Sequence, residues 1–205
     1  MENATATLTT YITDMHALIN HGLQAIDRQV DSMRGKRHVQ AFEAVQEFQR
    51  TLRTHLTMLD ARTKALGGKT TQPIKDAVTT VAGFFAGLIG TVRPAETPKA
   101  IRDDYTFLSH VAIGYLMLVT TATSLGDRET ATLAESGYRD AARMVMLIDR
   151  IMPRLVIEEL REDNLPISDV AEQVVAMIPD AWKREAENLG LDTDKGQDAG
   201  VDVRA

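Results

Sequence analysis

The stretch Ile101–Asp127, IRDDYTFLSHVAIGYLMLVTTATSLGD, limits the fold more than any other part of this chain. From Tyr105 to Gly126 it holds no carboxylate and no cationic side chain, and His110 is its only imidazole. A soluble chain does not leave so long a segment bare, so the stretch predicts a helix buried over most of its circumference. Its ends carry helix signals. Thr97-Pro98 supplies an N-cap and a proline at the first helical position. Asp103 and Asp104 lie where the helix dipole favours negative charge, and Gly126 closes the segment. A helix of this kind needs other helices to cover it.

Those helices are legible on both sides. Leu8 to about Met33 places Tyr11, Met15, Leu18, Ile19, Gly22, Ile26 and Val30 on one face at three- and four-residue steps. Val39 to Leu66 does the same with Phe42, Val45, Phe48, Leu52, His55, Leu56 and Leu59, and Gly67-Gly68 stops it. Two such helices joined by a short polar turn fold back as a hairpin. Ile74 to Val92 then predicts a short apolar crossover helix. Its Gly83, Ala86, Gly87 and Gly90 have the spacing that lets helix backbones approach closely, and they are the expected oligomer contact. Its apolar run falls short of the roughly 20 residues that cross a bilayer, so no membrane span is expected. After the central stretch, Asp127 caps a fourth helix that runs to Pro153 and continues at an angle through Arg154–Asp163. Two short helices, Ser168–Ile178 and Asp180–Leu189, are predicted on either side of Pro179.

The sequence therefore predicts an all-α protein. Residues 1–160 form a helical bundle, 161–190 a C-terminal helical arm and 191–205 a disordered acidic tail. A hydrophobic fraction of 44% with 25% charged residues is ordinary for a soluble domain, and 205 residues suffice for one substantial core. Without cysteine there is no disulfide, zinc–thiolate or thiol chemistry. MENATATLTT lacks the basic and apolar regions of a signal peptide, which sets the expectation of a cytoplasmic protein. A net charge of -6 disfavours nucleic acid as a partner, and the one dense basic run, Arg34–His38, reads as an inter-helix turn.

Four long helices in two hairpins, joined by a longer apolar crossover, is the layout of a ferritin-like four-helix bundle. The chain resembles the YciE/YciF-type ferritin-like proteins in YITDMHALINHGLQAIDRQ, LRTHLTMLDARTKALGG, IRDDYTFLSHVAIGY and AESGYRDAARMVMLIDRIMP. The resemblance covers roughly residues 8–160. It implies a di-metal site of glutamates and histidines in the bundle core, and a bacterial stress-response setting. At the ligand positions this chain departs from that pattern. The first-helix glutamate falls near Ile19, and Glu-x-x-His becomes Leu52-x-x-His55. The third-helix glutamates fall near Leu108 and Val111. A di-iron site needs hard oxygen ligands, which aliphatic side chains cannot supply.

The reading that follows is a non-catalytic bundle without cofactor or metal, acting by self-assembly, most simply as a homodimer, or by docking a protein partner through the C-terminal arm. The alternative is a metal-binding oxidoreductase or iron-binding protein with ligands from His21, His55, His110 and Glu135. A third possibility is an emptied core that holds a small apolar ligand. His16 and His21 stand about 140° apart on a helix and cannot pair as metal ligands. Ser109 and His110 are about 100° apart, which gives no support to a nucleophile–base pair.

Overall fold

The computed structural model describes residues 2–35, 37–68 and 97–191. They form α1 (Glu2–Met33), α2 (Val39–Ala65), α3 (Thr97–Ser124), α4 (Arg128–Glu162) and α5 (Ala171–Asn188), and no strand occurs among the described residues. The all-α expectation holds. The helix break expected at Pro179 does not occur, and the continuation expected beyond Pro153 does. α4 runs through Pro153 to Glu162, and α5 is one helix with Pro179 inside it. A proline removes one backbone hydrogen bond. In α4 that loss is offset by Leu155 and Ile157 beyond it, which are both buried. The crossover residues and the tail from 192 onward lie outside the described residues, and so do Gly83, Ala86, Gly87 and Gly90.

Among the described residues, the helices that pack most closely run antiparallel. Gly35 and Gly126 both take positive φ, 75° and 72°, and these left-handed turns reverse the chain between α1 and α2 and between α3 and α4. Gln49 donates to Asp27 at 2.7 Å and His16 reaches Asp60 at 3.2 Å, so α1 and α2 run in opposite directions. Phe107 of α3 lies against Gly22 of α1, and Met15 lies against Gly114, which makes α1 and α3 antiparallel. His38–Glu158 at 3.0 Å and His55–Asp140 at 3.1 Å do the same for α2 and α4. It follows that α2 and α3 point the same way, so α2 ends and α3 begins at opposite ends of the bundle.

One cluster closes the first of those ends. Asp127 caps α4 by accepting from the Thr130 amide at 2.9 Å, as its sequence position predicts. Arg62 at the end of α2 donates to both Asp127 oxygens at 2.6 and 2.7 Å, to the Thr130 hydroxyl at 2.8 Å, and to Glu129. Burial pushes the Asp127 carboxyl up, but the bonds from Thr130 and Arg62 prevail and hold it below the usual range. Its stabilisation is present above the unfolded value and lost as pH falls through the lower folded one.

The core is a single cluster drawn from all four long helices, with Ile12, Ile19, Phe48, Leu52, Leu108, Tyr115 and Met144 at its heart. α3 contributes Ile101, Asp104, Leu108, Val111, Tyr115, Leu118 and Ala122, one face at three- and four-residue steps. Its other face is open. Ile113 is 54% exposed, Met117 51% and Leu116 43%, so the expectation that this helix is buried over most of its circumference is overturned. Absence of charge in this helix does not bring burial on every side. By length and composition α3 is apolar enough to cross a membrane, with 33% of its most apolar window buried inside the bundle.

Candidate functional site at the bundle centre

Two buried polar groups interrupt this core. The first is His55, 2% exposed, on the inner face of α2. Its Nε2 lies 3.1 Å from Asp140 Oδ2 of α4, and its ring meets Tyr115 of α3 edge to face at 5.3 Å and 89°. A carboxylate only accepts, so Nε2 carries the proton, and the buried Nδ1 is left without a hydrogen-bond partner. Burial lowers the His55 pKa below its ordinary 6.5, against the hydrogen bond and charge of Asp140, which raise it. The Tyr115 hydroxyl is raised, by burial first and then by the Asp140 charge. Arg143 beside Asp140 pairs with Glu47 and lies 3.8 Å from Asp140, so the acid has a cation on its solvent side. The group as a whole holds a neutral imidazole in place. It contains one carboxylate, one imidazole and one protonated phenol, too few hard ligands for a pair of metal ions.

A histidine whose folded pKa is lowered binds fewer protons than the unfolded chain, so stability is lost as pH falls through the unfolded value of 6.5. Denaturation measured across that range should show this acid limb, and a His55→Gln protein should lack it. Asp140→Ala is expected to cost about 1–2 kcal/mol at neutral pH, toward the low end for an unpaired buried donor, because Asp140 is itself partly exposed and water can take its place.

The second interruption is Asp104 of α3, facing Gln29 of α1, both under 9% exposed. Asp104 Oδ2 and Gln29 Nε2 have no hydrogen-bond partner. Burial pushes the Asp104 carboxyl well above its usual range. Gln29 acts the other way, and the Asp103 charge adds to the rise. Burial thus favours the neutral carboxylic acid at Asp104, against the opposing pull of Gln29.

Outside the core, α5 lies on α4. Arg154 pairs with Glu172, Arg161 donates to Asp169 at 2.7 Å, and the Trp182 indole N–H donates to Asp149. Burial raises the Asp149 carboxyl, and Asp149 in turn adds to the burial that raises the Tyr105 hydroxyl. A cleft of about 570 Å³ lies between α2, α4 and α5, over Ala44, Ile151 and Ala171. Arg50, Arg150 and Arg154 on its rim balance Glu43, Glu47 and Glu172, so the cleft selects no sign of charge.

The four residues of the metal alternative are not gathered into one site. Only His55 reaches the centre. His21 is half-buried on α1, His110 is exposed on α3, and Glu135 is turned outward in an ion pair with Arg139. It is Asp140, not Glu135, that reaches His55. Among the described residues, no three histidine, aspartate or glutamate side chains are grouped closely enough to hold a metal ion. Ile19, Leu52, Leu108 and Val111, the positions where the resemblance would place ligands, are all fully buried in the common core. The sequence shows Asp140 beside Glu135 on the fourth helix, but not which of them faces inward, because 85 positions separate Asp140 from its partner. Asp104 had a usable signal, since it falls three after Ile101 and four before Leu108, on the stripe that faces inward.

No protein-family model matches the chain, and no curated protein matches it. A crystal structure of a protein from Xanthomonas campestris pv. campestris matches 80% of this chain and 99% of its own length, with a TM-score of 0.63 at 15% identity. That likeness is one of fold alone.

Proposed function

We propose that this chain is a ferritin-like bundle whose metal pocket has become an apolar core, and that it works through its surface, by self-association or by holding a partner, in a cytoplasmic stress setting. One observation carries the reading. Ile19, Leu52, Leu108 and Val111 stand fully buried in the core cluster that holds Tyr115, where the resemblance would place carboxylates. The course of the helices supports the ferritin-like part, because two antiparallel hairpins with α2 and α3 in the same direction are what that layout requires. Hydrocarbon at those positions removes the oxygen ligands on which di-iron chemistry depends, and one histidine with one aspartate does not replace them.

Protein purified without a tag is expected to carry less than one transition-metal ion per chain by elemental analysis, and a His55→Ala variant should leave that content unchanged. One or more iron, manganese or zinc ions per chain, lost on His55→Ala, would overturn the reading in favour of a metal protein. Light scattering on the same sample is expected to give a mass above that of one chain, and a strict monomer would leave partner docking as the surviving form.

A further inference from the structure

We infer that the outer face of α3 is where a second copy of this chain packs, with the two α3 helices antiparallel about a two-fold axis. The inference rests on the surface-acting reading above and names the surface and the partner.

Thr106, His110, Ile113, Met117, Thr120 and Ser124 follow one another at steps of four and three along α3, the seven-residue repeat of a helix that packs lengthwise on another. Ile113 and Met117 at the middle of this stripe are more than half exposed, and Leu116 beside them is 43% exposed. Because Tyr115 lies on Gly137 of α4, exposed Tyr138 stands level with the centre of the stripe and widens it. Scattered apolar side chains are normal on a surface, but a stripe along the 19 consecutive positions from Thr106 to Ser124 with no carboxylate, lysine or arginine is not.

Charge decides for a second copy. The chain has a net charge of -6, so two copies repel wherever their ordinary surfaces meet. A two-fold contact sets a patch against itself, and a patch free of fixed charge meets its own copy without repulsion. Antiparallel packing also brings the N-terminal end of each α3 dipole to the C-terminal end of the other. The size is right. At about 1.5 Å per residue the stripe is about 27 Å long. With helices spaced about 9 Å apart, α3 and the near edge of α4 offer a face on the order of 500 Å² in plan. That approaches the ~600–1,000 Å² of accessible surface that each partner buries in a stable dimer. A bilayer fits worse. To cross it, α3 would have to draw Asp104, Tyr115 and the rest of its buried face out of the bundle core.

Symmetry makes the test specific. In the antiparallel pair, Ile113 of one copy faces Met117 of the other, and Thr106 faces Ser124. The native chain has no cysteine, so each introduced thiol reports only itself. An equal mixture of full-length Ile113→Cys and Met117→Cys chains is expected to form the mixed disulfide on mild oxidation, in preference to either homodisulfide. Thr106→Cys with Ser124→Cys should do the same. Met117→Glu should weaken dimerisation in sedimentation experiments by about tenfold or more, with helical content unchanged. Homodisulfides at every position would overturn the antiparallel arrangement. A dimer unaffected by Met117→Glu and without the mixed disulfides would place association elsewhere, overturning this inference while the proposed function stands. A monomer at high micromolar concentration that floats with anionic or neutral lipid vesicles would assign the face to a membrane. Bound metal per chain, measured separately, is the outcome that overturns the underlying reading instead.

Discussion

Asp104→Asn is expected to make the protein more stable at neutral and alkaline pH, by about 1–3 kcal/mol, the scale set by a buried polar group whose needs are unmet. For a chain of this length that corresponds to a rise of roughly 2–4 °C in Tm per kcal/mol. The sign follows from protonation. The Asp104 carboxyl is held well above its ordinary 3.8 in the folded protein, so the folded state binds a proton that the unfolded chain has released. Stability from this group is complete below 3.8 and declines as pH rises through the higher folded value. Asparagine has the same shape and cannot ionise. Urea denaturation of both proteins between about pH 4 and pH 9 checks it. The native protein should lose stability toward high pH while Asp104→Asn stays flat. Parallel profiles would show that Asp104 is not the group responsible.

Gly137→Ala should act in the opposite direction. In an exposed helix interior a glycine-to-alanine change gains about 1 kcal/mol of helix propensity. At Gly137 the new methyl group falls on the ring of Tyr115, which is 1% exposed and has His55 edge-on against it. Overpacking of a filled core costs about 1–3 kcal/mol and wins over the propensity gain wherever the neighbour cannot yield. Gly114→Ala is the internal control. Its methyl meets the sulfur of Met15, the flexible end of an unbranched side chain that can move aside. Thermal unfolding should therefore show Gly137→Ala several degrees below the native protein and Gly114→Ala close to it. Equal shifts for the two would mean that neither ring nor thioether sets the limit.

These contrasts separate what could be read from the sequence from what could not. Helix existence and most boundaries were legible, because apolar residues at three- and four-residue steps, Asp127 at a cap, and Gly35 and Gly126 at turns each have a local cause. Continuity through Pro179 was not, since it depends on how α5 packs against α4, which tertiary contacts set. Leucine in place of a glutamate three positions before His55 was visible in the sequence. The partner of His55 was not, because nothing local ties position 55 to position 140. The largest misreading concerned α3. An uncharged helix is buried only if something covers every side of it, and among the described residues one long side is left open.

The hold of Asp149 on Trp182 has a practical consequence. Trp182 is the only indole in the chain, and it sits on α5 rather than in the bundle. Tryptophan emission therefore reports whether the arm is seated on α4, while far-ultraviolet circular dichroism reports mainly the four long helices. The two optical signals are separate by construction, so a melt followed by both would resolve departure of the arm from collapse of the bundle without any added label.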